Sequence, residues 1–266
     1  MLNRVACWGG AVKRIVVGIA LLVAATPCAS AQNFLHFPDI SAWQVGTGVD
    51  YSVGSYGDTR DTTVVSVPLD AKIQLDRLRL AVTIPYLDIT GPGTLVGDVI
   101  VDTGTVNTRT GLGDINVGAA YLVSADADTP ALEVEGFAKL PTAETGLGTG
   151  KVDYVAQANL YHALTPQFTV FGSIGYQWLS DFSTFDLKNG VVASAGLNLK
   201  VSDDTSIGFS ANFRQESFDS RGDTQTLSPY VMWNFIEHWR LTGYGTVGTG
   251  DASPNFGGGM RLIVYR

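Results

Sequence analysis

Cysteine is scarce in this sequence, and the positions of its cysteines limit what the folded protein can contain. The only two, Cys7 and Cys28, lie within the first 28 residues. A disulfide framework needs cysteines spread through the folded part of a chain, and a cysteine metal site needs several close together. We therefore expect neither feature in the chain that follows residue 31.

Basic residues and long apolar runs are also in short supply. The chain carries 17 Lys and Arg against 25 Asp and Glu, a formal net charge of −8. Nucleic-acid binding depends on a basic surface, so we expect no nucleic-acid partner. After Gln32 no apolar run approaches the ~20 residues that a membrane-spanning helix needs. If the chain spans a bilayer, it must do so as a closed β-barrel.

Residues 1–31 have the layout of a cleaved secretory signal peptide. Basic residues without any acid precede Ile15 to Ala25, an apolar run of eleven residues, and small residues at Ala29 to Ala31 predict cleavage after Ala31. The competing interpretation is a lipoprotein with Cys28 lipidated, which the preceding Pro27 disfavours. Cleavage would remove three basic residues and leave 14 basic against 25 acidic residues, a net charge of −11.

From Trp43 onward the apolar residues recur with a period of two, which is the pattern of β-strands. In the first segment one face has Trp43, Val45, Val49 and Tyr51, and the other face has polar residues and glycines. Twelve such segments follow one another to the end of the chain. An even number of strands allows both ends of a barrel to lie on the periplasmic side.

The connections between these segments alternate in length, which gives a second indication of a membrane barrel. Connections after odd-numbered strands are long or rich in Gly, Asp and Thr, as in 88–111 and 141–151, whereas most of those after even-numbered strands are tight. A secreted β-sandwich also alternates apolar and polar residues. However, several runs here hold the alternation for about ten to twelve residues, whereas strands of soluble proteins have a mode of about five to six.

We therefore predict an all-β protein: a transmembrane, antiparallel, up-and-down β-barrel of about twelve strands in the bacterial outer membrane. Residues 1–31 are predicted to be the signal peptide, 32–42 a periplasmic tether or a plug of the lumen, and 43–266 the barrel. Aromatic residues gather at strand ends, where they suit the two membrane interfaces. Examples are Trp43, Tyr86, Trp178 and Trp239.

Five short, mostly glycine-containing segments are distinctive: IPY at 84–86, GLGD at 111–114, KLPT at 139–142, GTGKVDY at 148–154 and GTGDASPNFGGGMRL at 248–262. In their order and spacing they resemble motifs of a bacterial outer-membrane family known as transporters or as the MetA-pathway of phenol degradation. The resemblance implies an outer-membrane barrel, with some relatives linked to uptake of aromatic or other hydrophobic compounds. One departure is the C-terminus, where Arg266 follows Tyr265, because such barrels usually end on an aromatic residue read by the assembly machinery.

The polar face of each predicted strand should point into the barrel, so its charged residues are the candidate lumen lining. They could set the electric field of a pore, or they could pair with one another and fill a narrow interior. Inward glycines likewise could leave room for a channel or could relieve crowding where the barrel curves. The charged candidates are Asp50, Asp70, Lys72, Arg79, Asp114, Glu133, Glu135, Lys139, Asp153, Lys200, Arg214, Arg240 and Arg261.

We do not predict an enzyme, a cofactor or a metal. The three histidines, His36, His162 and His238, are neither at metal-ligand spacing nor in a recognisable order with a nucleophile and an acid. The predicted function is passive uptake or permeation of small molecules, aromatic or hydrophobic ones among them. The alternative is a non-conducting barrel with a structural or binding role. The expected partners are the lipid bilayer, a small solute and the barrel-assembly machinery.

Overall fold

The protein is described here from a computed structural model. The structure describes residues 42–56, 59–96, 99–124, 129–181, 187–217 and 222–266. The predicted signal peptide and all but the last residue of the predicted tether or plug lie outside these residues. Within the described residues no helix is long and apolar enough to cross a membrane.

The described ranges form antiparallel β-strands throughout. Strands that are consecutive in the chain pair with each other, except β4 and β5, which both pair with β3. Most strands hold 10 to 14 residues. The strands are β1 (Trp43–Gly54), β2 (Thr62–Leu75), β3 (Leu78–Val96), β4 (Val99–Leu112), β5 (Ile115–Ser124), β6 (Ala131–Leu140), β7 (Asp153–Ala163), β8 (Phe168–Trp178), β9 (Gly190–Lys200), β10 (Thr205–Arg214), β11 (Thr224–Ile236), β12 (Trp239–Gly248) and β13 (Phe256–Tyr265).

The sheet closes on itself, because the first and last strands pair. β1 pairs with β13 from Gln44↔Tyr265 to Val53↔Phe256, and β1 also pairs with β2. Because the sheet closes, each strand of the wall has a partner strand on both sides. This satisfies the backbone N–H and C=O groups, which could not form hydrogen bonds with hydrocarbon. The prediction of an antiparallel twelve-stranded barrel is confirmed.

Twelve barrel strands arise from thirteen segments because β4 and β5 are two halves of one strand. The lower half of β3 pairs with β5, from Leu78↔Tyr121 to Thr83↔Asn116. Its upper half pairs with β4, from Tyr86↔Leu112 to Val96↔Val99. Only Gly113 and Asp114 separate the two halves. Above this break, β4 forms a β-hairpin with the upper half of β3, with a register irregularity between Gly91 and Gly93.

That hairpin replaces most of the long connection that the sequence predicts for 88–111. The abundance of Thr and Gly suggests a loop there, yet β3 continues to Val96 and β4 begins at Val99. Threonine and valine are both β-branched and favour strands. The remaining connections keep the predicted alternation, since the β2–β3 and β11–β12 turns are two residues each whereas the β6–β7 connection spans 141–152.

The two faces of the wall show the reverse of the burial in a soluble protein. On β1 the apolar side chains of Val45 and Val49 are exposed, and the polar side chains of Asp50 and Ser52 are buried. On the outer face of β8, Ile174 is 65% exposed, while Gln177 on the inner face is 0% exposed. An apolar exterior around a polar interior matches a barrel surrounded by hydrocarbon.

Candidate functional site: the barrel interior

An arginine on the last strand joins the first two strands inside the barrel. Arg261 of β13 places Nη2 2.6 Å from Asp50 Oδ2 on β1 and Nη1 2.6 Å from Asp70 Oδ2 on β2. The Tyr244 hydroxyl on β12 also donates a hydrogen bond to Asp50. Gly48 faces Arg261 in the register, and a Cβ there would lie 2.6 Å from Arg261 Cδ, so glycine makes room for the arginine stem.

A second ion-pair group lies on β3, β6 and β7. Arg79 Nη2 is 2.7 Å from Glu133 Oε1 and 3.8 Å from Glu135 Oε1. The Asn159 side-chain amide donates to both glutamates, at 3.1 Å and 3.0 Å, and the Gln157 amide donates to Glu135 at 3.1 Å. The carboxylates therefore have several donors each, as buried charges require.

A third group surrounds Lys139 at the upper end of β6. Its Nζ lies 3.1 Å from Asp114 Oδ2 and 2.8 Å from Asp153 Oδ2. It also donates to Thr149 Oγ1 at 3.0 Å. Asp153 in turn accepts a hydrogen bond from the Ser180 backbone N–H at 2.8 Å. The group thus joins the β4–β5 break, β6, β7 and the β6–β7 and β8–β9 connections.

The remaining charged candidates are all cations, and one of them, Lys72, lies within electrostatic range of the charges of the first two groups. Lys72 lies on the inner face of β2, half-buried, and Arg214 is buried near the upper end of β10. Arg240 is buried at the lower end of β12, with its guanidinium 4.8 Å from the centroid of the Tyr265 ring. Lys200 is at the rim, where its hydrogen bond and charge lower the pKa of Asp203 in the β9–β10 turn.

The charges divide the interior into two unlike halves. All the acidic candidates lie at β1–β7, counting Asp114 at the β4–β5 break. Among the described residues the inner face of β8–β12 has no acid and is lined mainly by hydroxyl and amide groups. The charged residues of this acid-free wall are the cations Lys200, Arg214 and Arg240. Its uncharged polar residues were not among the candidates predicted from the sequence, although they occupy the polar phase of the same alternation. They include Thr169, Ser173, Gln177, Asn198, Ser210, Thr226, Ser228 and Thr242.

Inward aromatic rings occupy the space that inward glycines leave. A Cβ at Gly118 would lie 2.6 Å from the Phe137 ring, and one at Gly196 would lie 2.0 Å from Phe171 Cζ. The Tyr230 ring likewise covers Gly208, and its hydroxyl donates to the Leu197 carbonyl at 3.2 Å. These glycines therefore leave the space that the aromatic rings occupy inside the wall.

An apolar cluster inside the upper end of the barrel was also missed from the sequence. Tyr56, Val64, Leu87 and Ile89 are buried together with Leu147 of the β6–β7 connection. Val64, Leu87 and Ile89 belong to the inner face of β2 and β3, where polar residues were expected. Because Val65 and Tyr86 beside them are also apolar, period-two alternation alone could not assign the inner face here.

The histidines of the described chain do not form a reactive group. His162 lies on the outward face of β7, and His238 lies in the β11–β12 turn, 3.5 Å from Glu237. His36 lies outside the described residues. No cluster of three or more potential metal ligands from His, Cys, Asp and Glu occurs in the part of the chain that the structure describes.

Comparison with known proteins identifies similar channels. A family model described as the putative MetA-pathway of phenol degradation matches residues 46–266. An outer membrane channel from Pseudomonas putida F1 is 16% identical with a TM-score of 0.68, and the match covers 87% of this chain and 100% of that one. Among curated protein sequences, none matches this chain.

Two further barrels are similar at lower identity. The KdgM porin is 9% identical with a TM-score of 0.51, and the match covers 82% of this chain and 97% of the porin. The translocator domain of the autotransporter NalP from Neisseria meningitidis is 10% identical with a TM-score of 0.52, covering 85% and 88%. At these identities the likeness shows a common barrel fold.

Proposed function

The chain belongs to the family described as the putative MetA-pathway of phenol degradation, and on this premise we propose that it is a passive channel for small molecules. It is an outer-membrane β-barrel. The solutes we propose are small aromatic and other hydrophobic compounds, in keeping with the family. Passage needs no energy source in this proposal, because solutes move down their own gradient.

The observation that carries the proposal is the inverted burial of the wall. Exposed apolar side chains such as Val49 and Ile174 would contact hydrocarbon, while charged and hydroxyl groups such as Asp50 and Thr226 face inward. We propose that this polar interior is the route of the solute, and side-chain charge within such a route selects among solutes. The charged candidates are thus proposed to influence permeation, although most of them pair with each other.

The expected partners follow from the same arrangement. The bilayer contacts the outer face, and a small solute contacts the inner one. We also propose that the barrel-assembly machinery inserts the protein, using β13, whose last residue Tyr265 precedes Arg266. The three similar solved structures described above are a channel, a porin and a translocator domain.

Reconstitution tests the proposed function. Purified protein in planar bilayers should give discrete conductance steps, and liposomes containing it should swell in isotonic solutions of small neutral solutes. Deletion of the gene in the native cell should slow the uptake of small aromatic compounds. Protein-free liposomes are the control. A folded barrel that neither conducts nor swells liposomes, and whose deletion leaves uptake unchanged, would support the non-conducting structural or binding barrel instead.

A further inference from the structure

Three of the short motifs that resemble the family come together at one place in the fold. GLGD supplies Asp114, KLPT supplies Lys139, and GTGKVDY supplies Thr149 and Asp153. The side chains of Asp114, Thr149 and Asp153 all contact the buried Lys139 ammonium. In the sequence these segments are as much as 43 positions apart, from 111 to 154. Their meeting point is the start and end of the β6–β7 connection, residues 141–152, which we call the mouth loop.

The mouth loop is fixed at its base by backbone hydrogen bonds. Asp114 Oδ1 accepts from the N–H groups of Thr142 and Ala143, at 3.0 Å and 2.9 Å. Glu144 donates its N–H to the Leu112 carbonyl at 2.9 Å, and its side chain accepts from the Leu112 N–H. The break between β4 and β5 places Asp114 where it can make these bonds. The same carboxylate therefore orients Lys139 and the first residues of the loop.

At the tip of the mouth loop, one apolar side chain packs into the wall of the barrel. Leu147 is 2% exposed and packs with Tyr56, Val64, Leu87 and Ile89. Because Val64, Leu87 and Ile89 lie on the inner face of β2 and β3, the loop folds inward against the wall rather than outward into solvent. A Cβ at Gly148 would lie 2.6 Å from Asp114 Oδ2, so the loop also passes close to the Lys139 group.

We propose that the mouth loop forms the constriction of the channel, that Leu147 is the contact that holds it inward, and that Lys139 is a positioning residue for its base. The loop narrows the upper end of the lumen from one side and so sets the largest solute that passes. This inference rests on the proposed function. The base of the loop is held by ion pairs and hydrogen bonds, whereas the tip packs through Leu147. The tip can therefore move while the base stays in place.

A pair of cysteines tests the position and the movement of the tip. Leu147→Cys combined with Leu87→Cys should form a disulfide in the folded protein, because both side chains belong to one buried cluster. In the oxidised form, swelling with the largest solutes that the unmodified channel passes should slow severalfold, and reduction should restore the rate. Failure of the disulfide to form, or equal rates before and after reduction, would contradict the proposal.

Single substitutions test the two anchors separately. Leu147→Ser should release the tip and raise the swelling rate for larger solutes severalfold, with little change for the smallest. Lys139→Met should also raise the swelling rate for larger solutes. The matched control is Lys151→Met, which removes an exposed charge from the same loop and should change neither rate. If the unmodified protein gives no swelling, the proposed function fails. If it swells normally and Leu147→Ser leaves the size limit unchanged, only the mouth-loop inference fails.

Discussion

Replacing Arg261 by methionine should destabilise the folded barrel by about 3–5 kcal/mol, the typical cost of removing one partner from a buried ion pair. The substitution would leave Asp50 and Asp70 on adjacent strands without the guanidinium that now lies 2.6 Å from each. Both contacts cross strands near the seam where the sheet closes. Equilibrium unfolding in urea, in detergent or lipid vesicles, measures the change.

Two controls separate the ion pair from general effects of charge. Arg266→Met removes an exposed arginine one residue after the end of β13 and should change the unfolding free energy little, as is usual for surface substitutions. Adding Asp50→Asn and Asp70→Asn to Arg261→Met should recover much of the lost stability, because no buried charge is then left unpaired. An Arg261→Met protein as stable as the Arg266→Met protein would show that the pairing contributes nothing.

Placing arginine on the outer face at mid-height should also be costly. Ala195 is near the centre of β9 and exposed on the outward side. An arginine at the bilayer midplane of a barrel costs about 2–4 kcal/mol, and one near the interface about 0–1 kcal/mol. We therefore expect Ala195→Arg to lower the unfolding free energy in vesicles by the larger amount.

The matched variants for this prediction lie on the same strand. Leu199→Arg, next to the end of β9, should cost about 0–1 kcal/mol, since its side chain can reach the interface. Ala195→Leu should be neutral or slightly stabilising, because leucine suits hydrocarbon. Equal losses for Ala195→Arg and Leu199→Arg would mean that depth has no effect, which a wall in contact with lipid does not allow.

Much of the fold could be predicted from the sequence because the barrel depends on a local pattern. Side chains alternate between the two faces of a strand, so the run from Trp43 to Val53 already indicates which residues face outward. Strand length and the alternation of turns then distinguish a membrane barrel from a sandwich. The hairpin of β3 and β4 was missed because its glycines are typical of turns, and they were given more weight than the strand preference of its threonines.

The candidate site could be predicted only as a set of residues, because its pairings depend on register and on loop geometry. Arg261 and Asp50 are 211 residues apart, and only closure of β1 on β13 brings them together. Arg79 and Glu133 are 54 residues apart and meet only because β3, β5 and β6 pair in this register. The base of the mouth loop is oriented by Asp114. The position of Asp114 follows from the β4–β5 break, and no periodic pattern in the sequence marks that break.

The measurement that tests the central claim most directly is the oxygen accessibility of spin labels along β9 in lipid vesicles. Labels at Ala193, Ala195 and Leu197, which lie on the outward face, should collide often with oxygen, which concentrates in hydrocarbon. Labels at Ser194 and Asn198, which lie on the inward face, should collide with it rarely. A profile with a period of two in this phase is the predicted result. Uniform accessibility, or the opposite phase, would contradict a barrel whose apolar face contacts lipid.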